Sequence, residues 1–278
     1  MLTTETSSIE LAESQLDRIS RLVKSLSGIN LHDGKKELVK ARLGKRLRNL
    51  GMRSFEQYID YVSDDSSGLE LTAMLDAIST NLTSFFRESD HFEYIAGEVF
   101  SRLIAGGQRR LRIWSAGCST GEEPYSIAIT AAEKIPDLAN WNARILATDL
   151  STNVLRQAME ACYPANKLES MAPQLLHKHF VIEKSGKERN YRVAEHIRRM
   201  TTFAHLNLMG RWPMRGPFDI IFCRNVMIYF DKPTRRELVR RYWELLAPGG
   251  TLLIGHSESL TGIQHKFKYV RPTIYAKS

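Results

Sequence analysis

Three apolar runs of the sequence each open into polar residues that could hold a ligand. The first run leads into a turn of small residues, 115–121, which contains Gly117 and Gly121. Small residues let a ligand approach the backbone, and a helix that starts behind the turn offers free amide donors. The spacing G-x-x-x-G departs from the dinucleotide fingerprint G-x-G-x-x-G, and close packing alone can require a glycine. The turn is therefore a weak indication by itself.

Glu123, just after this turn, allows two interpretations. Its carboxylate could face a ligand bound at the turn. Thr120 and Glu123 also have the spacing of a capping box, in which both side chains would only stabilise the start of a helix. The spacing leaves the choice open.

The second run ends at Asp149. A carboxylate at the carboxyl end of the second strand of a parallel sheet can accept hydrogen bonds from two ribose hydroxyls. Asp149 could instead cap the following helix, although Ser151 or Thr152 could also do so. A glycine turn after one strand and an acid after the next together favour a nucleoside ligand.

The third run, 218–223, reads as a buried strand that opens into Arg224 and Asn225. Ligands in open α/β sheets bind beyond the carboxyl ends of the strands, where these two residues would lie. Tyr229, a few residues later, could belong to the core or face the reacting centre. Spacing does not decide between these positions for Tyr229.

The elements that position these residues alternate between strands and helices after about residue 108. This order predicts an α/β fold with a parallel, Rossmann-like sheet. The predicted strands are 111–116, 143–148, 218–223 and 251–255, and the predicted helices are 124–133, 154–161 and 233–246. Residues 177–204 interrupt the alternation with two short strands, 180–182 and 191–193, and a turn at Gly186. They predict a small antiparallel β insert.

Residues 9–90 are predicted to be helical, because apolar residues recur every three or four positions. Between residues 35 and 53 lie eight basic residues and a single acid, Glu37. One stripe of the predicted basic helix, about 35–50, is apolar: Val39, Leu43, Leu47 and Leu50. Arg42, Lys45 and Arg48 lie on the other side, where they are free to meet an acidic partner or solvent.

Composition narrows the class of protein further. The chain has 278 residues, a length that suits one large domain and a small one. Its formal net charge is +8. No run approaches the roughly 20 apolar residues of a membrane span, and no secretion signal is evident, so we expect a cytoplasmic protein. The three cysteines are far apart, so neither disulfides nor a structural metal is indicated.

Four segments resemble the chemotaxis receptor methyltransferases of the CheR family. The similar segments are TNLTSFFRE at 80–88, STGEEPYS at 119–126, FCRNVMIYFD at 222–231 and GHSES at 255–259. The resemblance extends over nearly the whole chain from about Leu16. It implies an all-α N-terminal domain and linker at 1–88 and a methyltransferase domain at 89–278.

The resemblance also implies S-adenosylmethionine as cofactor and glutamate side chains of chemotaxis receptors as substrate, with no metal and in a monomer. The implied cofactor contacts are Asn81, Thr83, Arg87, Glu123, Asp149, Asn207, Leu208, Cys223 and Arg224. Arg87 and Tyr229 would lie nearest the methyl group and act in catalysis. Arg42, Lys45 and Arg48 would bind acidic receptor helices, without nucleic acid and without insertion into the membrane.

Two alternatives belong to other classes. A pI of about 9.4 suits a nucleic-acid methyltransferase. Enzymes that methylate exocyclic amines, however, need a polar acceptor of the Asp-Pro-Pro-Tyr kind after the fourth strand, where residues 224–227 read RNVM. The other alternative is a scaffold that binds the donor without catalysis, and detectable methyl transfer would exclude it.

Overall fold

The computed structural model describes residues 9–31, 33–78, 81–185 and 188–278. The chain divides into two compact units, residues 1–80 and 81–278. Residues 81–88, which the sequence grouped with the helical domain, belong to the second unit. The turn predicted at Gly186 lies outside the described residues.

The described part of the first unit is helical. Its helices are α1 (Glu13–Ser27), α2 (Lys36–Asn49), α3 (Phe55–Asp64) and α4 (Leu69–Ile78). Apolar residues at three- and four-residue spacings form its core, among them Ile19, Val23, Val39, Leu43, Leu47, Phe55, Tyr58 and Met74. The core also contains Glu70, whose carboxylate pairs with Arg46 and accepts a hydrogen bond of 2.8 Å from the Tyr58 hydroxyl.

Helix α2 carries the predicted apolar stripe over most of its length. Val39, Leu43 and Leu47 are fully buried, whereas Leu50 is 38% exposed. The helix ends at Asn49, and Gly51 follows with a φ of 70°. Leu50 is therefore past the last helical turn, so its side chain leaves the stripe.

The second unit is built on a mixed seven-stranded sheet. Its strand order is β6-β2-β1-β7-β8-β10-β9, with β10 antiparallel to both of its neighbours. The strands are β1 (Arg110–Ala116), β2 (Asn142–Asp149), β6 (Thr201–His205), β7 (Phe218–Cys223), β8 (Leu246–Ile254), β9 (Lys268–Arg271) and β10 (Ile274–Ala276). The predicted parallel strands are confirmed, and their carboxyl ends lie along one edge of the sheet.

The helices of the second unit lie before and between these strands in the chain. They are α5 (Ser89–Tyr94), α6 (Phe100–Ala105), α7 (Glu122–Lys134), α8 (Thr152–Glu160), α9 (Pro173–His179), α10 (Glu195–Arg198) and α11 (Lys232–Leu245). Helices α7 and α8 contact β2 and β6, and α11 contacts β8. Trp114 of β1 packs on Tyr242 of α11 and on Trp212, with ring centroids 5.4 and 4.8 Å apart.

The predicted β insert is a three-stranded antiparallel sheet, which we call the small sheet. Its strands are β3 (Cys162–Pro164), β4 (Phe180–Ser185) and β5 (Glu188–Val193), in the order β3-β5-β4. The predicted range, 177–204, needs correction at both ends. Strand β3 comes earlier in the chain, and β6, at Thr201–His205, pairs with β2 of the large sheet.

The last predicted helix and strand meet earlier than the sequence indicates. Helix α11 ends at Leu245, and β8 already begins at Leu246. Gly249 donates to the carbonyl of Lys277, and Lys277 donates to the carbonyl of Gly250, each at 2.8 Å. Pairing with the end of the chain therefore turns residues 246–250 into strand. Among the described residues, no helix has the length and apolar character needed to cross a bilayer.

Candidate active site

The turn between β1 and α7 needs its two glycines for close packing. Gly117 and Gly121 have φ values of 92° and 95°. A Cβ atom at Gly117 would lie 2.3 Å from a methyl group of Val226, and one at Gly121 would lie 2.8 Å from the Tyr163 hydroxyl. The turn is thus held between the loop after β7 and the small sheet, and its backbone amides stay close to the carboxyl ends of β1 and β2.

Asp149 connects the ends of these two strands. Its Oδ2 accepts a hydrogen bond of 2.8 Å from the Ser119 amide, and its Oδ1 accepts one of 2.9 Å from the Ser151 amide. Ser151 itself is the N-cap of α8, because its hydroxyl accepts from the Val154 amide. The N-cap position that Asp149 could have filled is therefore taken by Ser151. Asp149 is half-buried beside the glycine turn, as a ribose-binding carboxylate would be.

Glu123 does not form the capping box that its spacing allows. Helix α7 begins at Glu122 with Gly121 as its N-cap, and no side chain caps it. Glu123 instead accepts a hydrogen bond of 2.6 Å from the Ser115 hydroxyl, and its other oxygen lies 3.6 Å from the Arg224 guanidinium. Burial raises the pKa of Glu123, and the charge of Arg224 opposes that rise.

Arg224 is the centre of the polar network at the end of β7. It is 5% exposed, and its Nε donates to Glu88 at 3.2 Å. Its Nη2 donates to the carbonyl of Arg87. Burial would raise the pKa of Glu88, but Arg224 and the amide of His256 bring it below its usual value. Because a buried charge needs such partners, Arg224 fixes the Arg87-Glu88 backbone at the end of the central strand.

Residues 81–87 run along the glycine turn. The carbonyl of Asn81 accepts from the Ser119 hydroxyl at 2.9 Å, and the carbonyl of Thr83 accepts from Lys167 Nζ at 3.4 Å. The amide of Phe86 donates to the Ser126 hydroxyl at 2.9 Å. Arg87 is half-buried and donates to the carbonyl of Leu82 at 2.9 Å. These bonds place the predicted contacts of this segment beside those of the turn.

The loop after β6 reaches the same edge of the sheet. The amide of Leu206 donates to the carbonyl of Asp149 at 2.9 Å. Asn207 then accepts from the amide of Met209 at 2.9 Å, and the carbonyl of Leu208 accepts from the side chains of Trp212 and Arg241 at 3.1 and 2.8 Å. Asn207 and Leu208 thus follow directly on the backbone that holds Asp149.

Cys223 has its side chain in the core. The thiol is buried and accepts a hydrogen bond of 3.1 Å from the Tyr242 hydroxyl. Burial raises the pKa of Cys223 well above its usual value. A contact from Cys223 to a ligand would therefore involve its backbone, and the thiol has no nucleophilic role.

Glu258 holds the loop that carries Tyr229, and the sequence-based list of site residues omitted it. Its carboxylate accepts from the amides of Gly255, Asn225, Val226 and Ile228, at 2.5, 2.9, 3.0 and 3.2 Å. Asn225 has a φ of 58°, which sharpens the turn out of β7. Tyr229, half-buried, ends the short 3₁₀ helix Met227–Tyr229 that follows. The GHSES segment contained the only sequence indication of this role.

A second polar cluster lies behind Arg224 and comprises Glu88, His91 and His256. Possible ligand atoms of the three lie within 4.8 Å of one another. His91 is fully buried, and its Nε2 is 2.8 Å from the Thr273 hydroxyl. Burial and the nearby charge of Arg224 lower the pKa of His91 to about 4. The guanidinium of Arg224 already pairs with the carboxylate of Glu88. The cluster is therefore better suited to positioning Arg224 than to holding a divalent cation.

The predicted receptor-binding residues lie on α2 in the first unit. Lys45 and Arg48 are exposed. Arg42 is half-buried and donates to the carbonyl of Ile78 at 2.6 Å. The expectation that all three are free for a partner therefore needs correction, since Arg42 also ties α2 to the end of α4.

The second unit thus brings the predicted cofactor contacts together at the carboxyl ends of β1, β2 and β7. The fold and this site define the class of S-adenosylmethionine-dependent methyltransferases. The SAM binding domain of CheR methyltransferase matches residues 81–276, and the all-alpha domain of CheR methyltransferase matches residues 14–79. The chain belongs to the CheR methyltransferase family.

Curated relatives cover almost the whole chain. A probable chemotaxis protein methyltransferase of Rhizobium etli is 40% identical over 260 residues, which cover 91% of this chain and 96% of the relative. The chemotaxis protein methyltransferase of Escherichia coli is 38% identical over 274 residues, or 98% and 94% of the two chains. Chemotaxis protein methyltransferase 2 of Pseudomonas aeruginosa is 42% identical, over 90% of this chain and 88% of the relative.

Proposed function

We propose that this methyltransferase esterifies glutamate side chains of chemotaxis receptors, giving glutamate methyl esters and S-adenosylhomocysteine. The observation that carries the proposal is the assembly of residues 81–87, Glu123, Asp149 and Arg224 at one edge of the sheet, in a chain of the CheR family. The names of the curated relatives support chemotaxis receptors as the substrate.

The residues present fit an S-adenosyl cofactor. The glycine turn keeps its backbone close to the carboxyl ends of β1 and β2, and the half-buried carboxylate of Asp149 suits the two ribose hydroxyls. Asn81, Thr83, Arg87, Glu123, Asn207, Leu208, Cys223 and Arg224 complete the proposed contacts. When bound, the cofactor supplies an electrophilic methyl group on a sulfonium centre.

The acceptor needs no general base from the protein. A glutamate with an ordinary pKa of about 4.3 is already ionised at neutral pH, so positioning and exclusion of water must provide the rate enhancement. Arg87 orients the carboxylate through paired hydrogen bonds. Tyr229 closes the site from the loop that Glu258 holds. If Arg87 bound the substrate carboxylate very tightly, it would stabilise the ground state as much as the transition state. We therefore assign Arg87 the role of orienting the carboxylate.

We further propose that the enzyme acts in the cytoplasm as a monomer without a metal, on acidic helices of its receptors. In this proposal residues 1–80 form the helical domain, and residues 81–278 carry the methyltransferase activity. Arg42, Lys45 and Arg48 attract the receptor.

Methyl transfer to receptors is the direct test. The purified protein is mixed with methyl-tritiated donor and receptor-containing membranes, and the labelled protein is treated with base. Release of the label as methanol is expected, because a glutamate methyl ester is hydrolysed under these conditions. Label that stays on protein after base, or appears in nucleic acid, would contradict the proposal.

Two variants then separate catalysis from binding. Arg87→Ala and Tyr229→Phe should lower turnover more than they lower donor affinity, because in this proposal both residues lie nearest the methyl group. Glu169→Gln, an exposed carboxylate, is the control. Normal turnover at saturating donor in both variants would limit the two residues to cofactor binding.

A further inference from the structure

One face of the large sheet is partly uncovered. Along β2, Ala143, Ile145 and Ala147 are buried, on the side where α7 and α8 pack. On the opposite side of the sheet, Arg144 of β2 is exposed, as are Thr202 and Ala204 of the neighbouring strand β6. Strands of parallel sheets are ordinarily covered on both faces. Within the described part of the second unit, α11 reaches this side at Trp114 of β1, through Tyr242, whereas Arg144, Thr202 and Ala204 stay exposed.

The uncovered face carries a cluster of positive charge, the arginine face, which consists of Arg110, Arg112 and Arg144. Arg112 and Arg144 are direct partners in the register of β1 and β2. Alternation along β1 places Arg110 on the same side as Arg112. Burial and the charges of Arg110 and Arg144 lower the pKa of Arg112, so the three side chains interact unfavourably with one another.

The arginine face has little internal charge compensation. The side-chain hydrogen bonds of Arg112 go to the carbonyls of Leu111 and Asn142, and those of Arg144 go to the carbonyl of Ala143. Asp219 is the acid beside them, and its Oδ2 accepts a hydrogen bond of 2.7 Å from the backbone amide of Arg112. Within the described part of the chain, the only ion pair of these arginines is that of Arg110 with Asp219, at 3.9 Å. Like charges on neighbouring strands repel each other, which is an energetic penalty. A bound anion would remove this penalty.

The spacing of the arginines indicates which anion fits. Neighbouring strands lie about 4.8 Å apart, and acidic side chains one helical turn apart have Cβ atoms about 5 to 6 Å apart. The planar guanidinium also binds a carboxylate through two parallel hydrogen bonds. A helix with glutamates at positions i and i+4 therefore matches Arg112 and Arg144 in both charge and spacing.

We propose that the arginine face is a docking surface for a helical protein segment that carries acidic side chains one turn apart. Arg110 and Arg112 lie at the amino end of β1, whereas the candidate active site lies at the carboxyl ends of the strands. The docked segment therefore does not compete with the methyl donor. It is a second attachment point, separate from the carboxylate that is methylated.

The test uses the full chain and a labelled helical peptide with Glu at i and i+4, compared with the same peptide carrying Gln at both positions. Replacing Arg112 and Arg144 together by Gln should weaken binding of the Glu peptide about fivefold to tenfold, the effect of two partly exposed pairs. The Gln peptide should bind wild type and variant alike. The control, Lys266→Gln with Lys268→Gln, removes the same charge from another surface and should change the affinity less than twofold.

Donor binding, measured by calorimetry, reports the fold of each variant independently of methyl transfer. Equal affinity of wild type and variant for the Glu peptide would overturn the proposal. It would also be overturned if a single-stranded oligonucleotide, and not the peptide, lost affinity, because the face would then serve nucleic acid. If the Gln variant failed to bind donor, Arg112→Lys with Arg144→Lys keeps both charges. That variant must still bind the Glu peptide more weakly than wild type does, since it lacks the paired hydrogen bonds.

Discussion

Asp149 holds the glycine turn through two backbone amides, so its substitution tests cofactor binding and turn geometry together. Asp149→Asn retains a hydrogen-bond acceptor for one amide but removes the charge. We expect it to weaken S-adenosylhomocysteine binding by about 1.5 to 3 kcal/mol, the value of hydrogen bonds to a charged group. Calorimetry measures the affinity, with Asp137→Asn, in an exposed turn, as the control. Unchanged affinity would reduce Asp149 to a structural residue.

Glu258 acts through the loop that it anchors, so its loss should affect turnover before affinity. Glu258→Gln presents an amide NH₂ to backbone N–H groups and loses part of their pairing, at a cost of about 1 to 3 kcal/mol in the free energy of unfolding. We expect receptor methylation at saturating donor to fall while the donor dissociation constant stays nearly constant. The matched control is Glu169→Gln. A variant with normal turnover and normal unfolding would show that the loop keeps its shape without Glu258.

At the scale of elements, the small sheet supports the glycine turn. Lys167, in the short helix after β3, is 3.2 Å from Glu122, whose side chain is fully buried. The Tyr163 hydroxyl of β3 donates to the carbonyl of Thr120 at 2.7 Å. The small sheet is therefore part of the candidate site as well as an insert.

Substitution of Lys167 tests whether the small sheet supports the glycine turn. Lys167→Met leaves the buried carboxylate of Glu122 without its cation, so we expect a loss of about 1 to 2 kcal/mol in stability and weaker donor binding. Adding Glu122→Gln should restore most of the stability, because a neutral amide needs no counter-ion. Denaturation and calorimetry on both variants, with Lys266→Met as control, check this. No rescue in the double variant would mean that Lys167 and Glu122 act independently.

Helix α2 is the element proposed to meet the receptor. Several of its cations are already engaged within the first unit: Lys36 with Glu13, Lys40 with Glu10, Arg46 with Glu70 and Arg42 with the carbonyl of Ile78. Lys45 and Arg48 remain exposed. Electrostatic steering by α2 should therefore depend more on these two residues than on Arg42.

Charge reversal tests this view of α2. Lys45→Glu with Arg48→Glu should raise the Michaelis constant for receptor, leave donor affinity unchanged and flatten the salt dependence, since exposed charges are screened over about 8 to 10 Å. Arg42→Glu should also lower stability, because it loses the bond to Ile78. Arg211→Glu with Arg215→Glu, in the second unit, is the control. Wild-type methylation rates at low and high salt would exclude α2 as the docking surface.

At the scale of the whole molecule, His91 should make the fold sensitive to acid. Its pKa in the folded protein is about 4, below the ordinary value of about 6.5 that it has when unfolded. Between these values the unfolded chain binds a proton that the folded protein does not. Stability is therefore complete above about pH 6.5 and is lost as the pH falls toward 4, by about 1 to 3 kcal/mol.

Urea denaturation between pH 4 and 7 measures this loss. The carboxylates with raised pKa values, Glu123 and Glu258, act in the opposite direction, so the informative quantity is the difference between variants. His91→Gln can keep a hydrogen bond to Thr273 and should lose less stability on acidification than wild type. His177→Gln, at an exposed position, should follow wild type. Parallel pH profiles of His91→Gln and wild type would contradict the assignment.

The sequence by itself determined the parallel strands, the helical first unit and the position of Asp149 at a strand end. These features depend on neighbours within a few residues: apolar periodicity, glycine turns and the rule that parallel strands end at one edge. The helix cap at Ser151 was also predictable, because an N-cap bonds only three residues ahead.

Tertiary structure decided the features that join distant parts of the chain. Arg224 meets Glu88 across 136 positions, and Glu258 meets Asn225 across 33, so local spacing carries no information about either bond. Strand β3 has three residues and exists because β5 pairs with it. The same reason explains Glu123, whose helix-capping alternative was equally good locally. The fold brings Arg224, at the end of β7, to the buried carboxylate of Glu123. A buried charge needs a partner of opposite charge, and only the tertiary structure supplies this one.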